Sequence, residues 1–360
     1  MTNLLRNPPP LLVPPNATSS LRLAGQTAFD PSSSHEPPYV LHTVPFDRGY
    51  LFAGSDDSVR AFTRTLEPLG TLRTTQKGVS SLAPGSARDS NVAFVTAKDG
   101  TVAGWDLRDL TKEAFKVRGK SGAPYLCASQ SSDQSCLAVG TETFQYEAMI
   151  DFWDLRAMQL QHTYTESHSD DITTLSFHPS PELAHVLLSG SVDGVLNTYD
   201  VRIADEDDAV QSTLQVGTSV VDAGWMRLPG HSEIKGVWGT TTIETLQIWD
   251  ADEQNLLHDL GDIRDVALQP WRSEYLIGAH FNPALGGVCL LAGTNGGDVA
   301  VLNAAQPRTW VMEQVLSGAG GRTLATNRGH TDIVRCAHLD TDTSTVVTGG
   351  EDGQICLWSV

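Results

Sequence analysis

The chain has 360 residues, 40% of them apolar and 19% charged, which supplies a sizeable core and excludes wholesale disorder. Its 24 Lys and Arg stand against 43 Asp and Glu, a net charge of -19, and this excludes the broad cationic face that direct nucleic-acid binding needs. At roughly 150 residues per domain, the length fits two or three domains or one large repeated fold.

Taken from the start, residues 1–20 carry prolines at 8–10 and 14–15, which break any apolar run of signal-peptide length. This head is expected to be a disordered, Pro-rich tail on a protein that is not secreted, so the sequon at Asn16 reads as chance. Residues 21–29 (LRLAGQTAF) form a lone strand-like segment. After it, similar segments recur: AGSDDSVRAFT, TAKDGTVAGWD, EAMIDFWD, SGSVDGVLNTYD, ETLQIWD, AGTNGGDVAVLN and TGGEDGQICLWS. They end at Thr63, Asp106, Asp154, Asp200, Asp250, Asn303 and Ser359, steps of 43 to 56 residues, which is the period of four-stranded propeller blades.

Unit four shows the internal pattern. Strands are predicted over 172–177, 186–189 and 195–200, with a break at His178-Pro179-Ser180-Pro181 and a tight turn at Val192-Asp193-Gly194; the outer strand falls at 210–216, after the acidic run 205–208. No segment offers a helix longer than two turns, and none has 18 uninterrupted apolar residues, so neither a helical domain nor a membrane span is expected. The last unit ends just after its third strand. Its fourth must come from elsewhere or leave an open edge, and 21–29 is the spare segment. The fold expected is therefore all-β: a single seven-bladed β-propeller over 21–360, with four-stranded antiparallel blades and closure by the N-terminal strand. Five cysteines without a C-x-x-C pair read as reduced thiols.

The segments resemble the WD-repeat family, with Gly329-His330 before a first strand and Trp-Asp closing a third; GHTDIVRCAHLDTDTSTVVTGGEDGQICLWSV at the end of the chain is nearly a full example. The resemblance implies a protein-interaction scaffold or adaptor, a monomeric propeller within a larger complex in the nucleus or cytoplasm. It also implies buried hydrogen-bond sets in two blades: His168, Ser189, Asp193 and Tyr199, and His330, Thr348, Asp352 and Trp358. A His, a hydroxyl and an Asp also fit a hydrolase. However, no Gly-x-Ser-x-Gly turn presents a nucleophile, and an enzyme would need histidines or carboxylates converging on the channel. The other units lack a full set, Val95 standing where unit two needs its hydroxyl, and are expected to be held by packing.

The stretch Arg118-Gly119-Lys120-Ser121 lacks the first glycine of a phosphate loop, and no metal-ligand spacing occurs, so no cofactor and no metal are expected. Trp105, Trp153, Trp249 and Trp358 share one repeat position and read as packing, whereas Trp225, Trp238, Trp271 and Trp310 fall outside it and are candidates for a partner surface. Asp170 and Asp332, just after the family histidines, are candidate rim carboxylates for basic peptides. Trp105-Asp106-Leu107-Arg108, Trp153-Asp154-Leu155-Arg156 and the degenerate Tyr199-Asp200-Val201-Arg202 look like motifs of receptors that dock on the adaptor of cullin-based ubiquitin ligases. Arg108, Arg156 and Arg202 are the candidate contacts, against the simpler reading that each pairs with a neighbouring acid.

Overall fold

In the computed structural model the described residues are 11–12, 22–30, 36–87, 90–265, 267–268, 271–283, 286–306, 309–316, 329–340, 343 and 345–359. They form seven four-stranded antiparallel blades, six of them with strands in chain order from the inside outward, and a small two-stranded sheet of Ala267–Leu268 and Trp271–Arg272. Blade one takes Val40–Phe46, Gly49–Gly54, Val59–Thr63 and Pro68–Leu72, and blade two Val79–Pro84, Val92–Ala97, Thr101–Asp106 and Phe115–Arg118. Blade three takes Tyr125–Gln130, Cys136–Thr141, Ile150–Asp154 and Gln159–Tyr164, and blade four Ile172–Phe177, Val186–Ser191, Val195–Asp200 and Val210–Gln215. Val220–Arg227, Ile234–Thr241, Thr245–Asp250 and Asn255–Asp262 make blade five; Tyr275–Asn282, Gly287–Gly293, Val299–Gln306 and Thr309–Leu316 make blade six.

Blade seven borrows a strand. Val334–Asp340, Thr345–Gly350 and Gln354–Ser359 come from the end of the chain, and Arg22–Ala28 pairs antiparallel with the third of them, Leu23 opposite Trp358 and Ala28 opposite Gln354. The propeller is thus closed by the N-terminal strand, as the lone segment at 21–29 predicts. The Pro-rich head lies outside the described residues except for Leu11–Leu12, which pairs parallel with the outer strand of blade six at Trp310 and Val311.

The predicted strands of unit four match within two residues. The acidic run before the outer strand is itself structured. Glu206–Ala209 makes one helical turn, and the Glu206 carboxylate accepts backbone N–H groups of Thr165 (2.5 Å), Glu166 (2.9 Å) and Ser167 (2.8 Å), tying this loop to the crossover from blade three. The turns between second and third strands use residues with left-handed backbone, Gly100, Gly194 and Gly353 at φ of +76°, +83° and +66°, each following an Asp.

Burial explains the ring. Each seam between neighbouring blades holds its own apolar cluster, and there are seven clusters for seven seams. First strands touch in a closed circle, from blade one round through blade seven and back to blade one. At the seam that closes the circle, Ile355 and Leu357 of blade seven and Phe29, just after the borrowed strand, pack on Val40, Tyr50, Phe52 and Phe62 of blade one. Arg60 of blade one fastens the incoming chain: its guanidinium donates to the Phe29 carbonyl (3.0 Å), pairs with Asp30 (2.9 Å) and lies 5.0 Å from the centre of the Phe29 ring. Five buried free cysteines serve as small core residues, and the thiols of Cys127 and Cys336 donate to the first strand of the next blade, at Ile172 O (3.3 Å) and Val40 O (3.7 Å).

Arg60→Ala removes a charged hydrogen bond, an ion pair and a ring contact at the closing seam, and is expected to lower unfolding free energy by about 1.5–3 kcal/mol. Urea unfolding followed by tryptophan fluorescence measures it. A midpoint within error of the unsubstituted chain would mean that Arg60 does not fasten the closing strand.

Candidate functional site

Within a blade the first and third strands run the same way and the second and fourth return. Residues just before a first strand and residues just after a third strand therefore lie at opposite ends. The candidates divide accordingly: Asp170 and Asp332 stand on the rim where chains enter the first strands, and Arg108, Arg156 and Arg202 on the opposite rim. They cannot form one site.

On the entry rim, the two polar sets assemble. In blade seven, His330 Nδ1 lies 3.0 Å from Asp352 Oδ1, His330 Nε2 lies 2.8 Å from Thr348 Oγ1, and Trp358 Nε1 donates to the same hydroxyl at 2.9 Å. In blade four, His168 Nδ1 is 2.9 Å from Asp193 Oδ2 and Nε2 is 2.6 Å from Ser189 Oγ, which reaches Tyr199 OH at 3.2 Å. This is the order of a hydrolytic triad, yet Ser189 and Thr348 are each 0% exposed, so neither hydroxyl faces solvent. Burial opposes ionisation of Asp193 and Asp352, but the hydrogen bonds from His168 and His330, with backbone N–H groups of Ser169 and Thr331, hold both carboxyls below the ordinary carboxylate range.

Blades without a full set are not held by packing alone. In blade two Gln76, buried just before the first strand, donates from Nε2 to the carbonyl of Val95 itself (2.9 Å) and to Thr101 (3.1 Å to Oγ1), reaching past the missing hydroxyl. Blade three builds a chain of its own: Tyr125 OH donates to Asp151 (2.5 Å), which also accepts from Thr163 Oγ1 (2.7 Å). Trp105 and Trp249 are buried with no hydrogen-bond partner for Nε1 among the described residues, which leaves their rings as packing elements, and Trp153 is buried beside the Tyr125 hydroxyl.

Asp170 accepts from Thr143 Oγ1 (3.2 Å) and from the Asp171 N–H (2.8 Å), so it braces the blade three loop against blade four. Asp332 is exposed and, among the described residues, accepts from the Ile333 N–H (2.8 Å). On the opposite rim, Arg108 makes a fork with its own Asp106 (2.8 and 2.6 Å), and Arg202 does the same with Asp200 (2.8 and 2.5 Å). Each carboxylate is thereby held below its ordinary range, with the arginine hydrogen bond as the largest cause. Arg264 and Asp262 repeat the arrangement at the end of the outer strand of blade five, a pair that no Trp-Asp motif flags. Arg156 differs: only its backbone N–H reaches Asp154 (2.7 Å), and its side chain bonds to no described residue. Trp238 is buried, and Trp225 is half-buried with Nε1 bonded to Ser176 O (2.9 Å); the Trp271 and Trp310 side chains lie outside the described residues. Among the described residues no group of three or more His, Cys, Asp or Glu is placed to hold a metal, and no helix is long and apolar enough to cross a membrane.

Comparison with known proteins adds to this geometry. Residues 158–200 and 321–359, which end at the third strands of blades four and seven, match the family described as WD domain, G-beta repeat. The chain is similar to the WD repeat-containing protein GTS1 of Arabidopsis thaliana, 27% identical over 76% of this chain and 67% of that protein. It is also similar to the WD repeat-containing protein 89 homolog of Dictyostelium discoideum, 23% identical over 75% of this chain and 69% of that protein. An uncharacterized WD repeat-containing protein of Saccharomyces cerevisiae is 28% identical over 48% of this chain, and the match takes in 42% of that protein.

Thr348→Val strands His330 Nε2 and Trp358 Nε1 in a buried site and is expected to cost about 1–3 kcal/mol in urea unfolding. Because both Asp carboxyls are lowered on folding, they add stability that is present above the ordinary Asp pKa of about 3.9 and is lost as pH falls through their lowered values. The double variant Asp193→Asn, Asp352→Asn should flatten the acid limb of a stability–pH profile; an unchanged limb would contradict the assignment.

Proposed function

We propose that this chain, a WD-repeat β-propeller, works as a non-catalytic platform that holds other proteins or peptides against a rigid ring. The observation that carries this reading is the burial of both His–hydroxyl–Asp sets. The groups that resemble catalytic machinery are spent on blade geometry, whereas the exposed polar groups are rim residues such as Asp332 and Arg156, on loops presented by a closed scaffold. The net charge of -19 favours basic partners and speeds their association at low salt.

A narrower reading, a receptor docking on the adaptor of a cullin-based ubiquitin ligase, is supported by one observation: the Arg156 side chain is exposed and hydrogen-bonds to no described residue, and Arg108 keeps 74% of its side chain exposed despite its ion pair. Exposed pairs of this kind contribute little and separate readily, so both arginines are available to a partner carboxylate.

The test is tagged capture from the protein's own cells followed by gel filtration, with the Arg108→Ala, Arg156→Ala double variant alongside. The platform reading expects a stoichiometric partner that stays bound through the column in both chains. Cullin ligase components that are recovered with the parent chain and lost with the variant would establish the receptor reading instead. A chain that elutes alone in every case would overturn both.

A further inference from the structure

The first strands of the blades line the centre of the ring, and residues of those in blades two, four, five, six and seven, with Pro179 and Trp238, line an open cavity of about 560 Å³. That size is within the range of roughly 300–1,000 Å³ in which pockets hold ligands. Its wall includes Trp225, Phe177 and Phe281 as apolar surface and Asp222, His280 and His338 as titratable groups. These histidines are not among those used by the buried blade sets, so the polar content of the channel is a separate feature.

Asp222 is the unusual member. Both of its hydrogen bonds fall on one oxygen: Oδ1 accepts from Thr174 Oγ1 (3.2 Å) and from the Ala223 N–H (2.9 Å), while Oδ2 has no partner and the carboxylate no counter-ion among the described residues. The groups around it supply no positive charge. Burial holds His338 down at about 3 and His280 below its ordinary value, and it pushes the Cys127 thiol, on the first strand of blade three, up to about 12. All three are neutral at physiological pH. Burial likewise raises the Asp222 carboxyl to about 6, so near neutrality it is mostly an anion without a partner. No hydrogen bond joins Asp222 to either histidine, and the cavity therefore holds no oriented acid–base pair.

Open space adjoins the strand of His280. Gly278 precedes His280 by two residues and so shares its side of the strand, and a Cβ at Gly278 would meet no heavy atom within 4 Å. A larger residue there would fit the fold and project beside His280, on the strand that lines the cavity.

We propose that the cavity is a socket for one cationic side chain, Lys or Arg, presented by a partner polypeptide, with the Asp222 carboxylate as its counter-ion. Charge complementarity selects the occupant: a half-buried carboxylate with one unpaired oxygen gains when a cation joins it, and aromatic walls favour an alkylammonium or guanidinium over an anion or a neutral polar group. This inference rests on the interaction-platform reading and specifies how one partner is held. It carries a pH signature. A carboxyl whose pKa is raised on folding destabilises the fold increasingly as pH rises through about 6, and a cation must displace the proton, so binding weakens as pH falls below about 6.

The experiment is calorimetry on the full chain with three probes, ten-residue peptides alternating Gly with Lys, Gly with Arg and Gly with Glu, at about 0.3 M salt to screen general attraction to an acidic protein. Expected is one-to-one binding of at least one basic peptide and none of the acidic one, weakened at least tenfold by Asp222→Asn and by Gly278→Phe. The second substitution leaves the charge unchanged, so loss there cannot be attributed to net charge. Asp222→Asn should also melt higher than the parent chain at pH 8, by a margin that shrinks as pH falls from about 6 towards the ordinary Asp value of about 3.9, a gain in stability coupled to a loss of binding. Basic peptides that bind both variants as tightly as the parent would overturn the proposal. If no basic peptide binds while a partner still co-purifies, the socket is wrong and the platform stands; if neither binds, both fall.

Discussion

Every blade of this protein has two apolar faces and can bury neither by itself, and the rest of the structure follows from that constraint. A four-stranded sheet of this kind hides one face against the preceding blade and the other against the next. An open row would leave a face exposed at each end, and closing the row into a ring removes both. The seven clusters are equivalent in role, but the one between blades seven and one is made from opposite ends of the chain, with Phe29, Ile355 and Leu357 meeting Val40 and Phe52. Covalent continuity holds the other six seams in register. This one depends on the borrowed strand, on Arg60 and on packing.

Polar groups inside the ring are disposed to reinforce the same arrangement. The His–hydroxyl–Asp sets of blades four and seven, the Gln76 brace of blade two and the Tyr125–Asp151–Thr163 chain of blade three satisfy buried donors and acceptors while pinning a crossover or an outer strand to the blade. Thr174, Cys127 and Cys336 extend the bonding from one blade to the next. Asp222 accepts from Thr174 but keeps an oxygen in reserve, which is why it stands apart from this structural economy.

The repeat made the architecture readable from the sequence. A turn with Asp-Gly, a β-branched third strand and a terminal Trp-Asp recur often enough to fix blade number, strand order and the need for a borrowed strand at 21–29. The two polar sets were legible for the same reason, since His168 and His330 occupy one repeat position. What escaped notice has no repeat to announce it. Gln76 does the work of a histidine through a different atom and a different acceptor, and Glu206 reaches backward to a crossover about forty residues earlier. The self-pairing of Arg108 and Arg202 is a rotamer choice, which no motif encodes. Asp222 looks like an ordinary acid in VVDAGW until the registers of seven first strands are known and it is seen to face the centre of the ring.

The account turns on a ring that closes as one rigid body, and native-state hydrogen exchange on the full chain tests that most directly. It expects the amides of Gln354–Ser359 and of Gly49–Gly54, on either side of the closing seam, to exchange with the same opening free energy as those of Ile172–Phe177 and Val186–Ser191 in blade four. Exchange of the blade seven strands through a separate opening of much lower free energy, while blades three and four stay protected, would show a row that closes only weakly and would contradict the account.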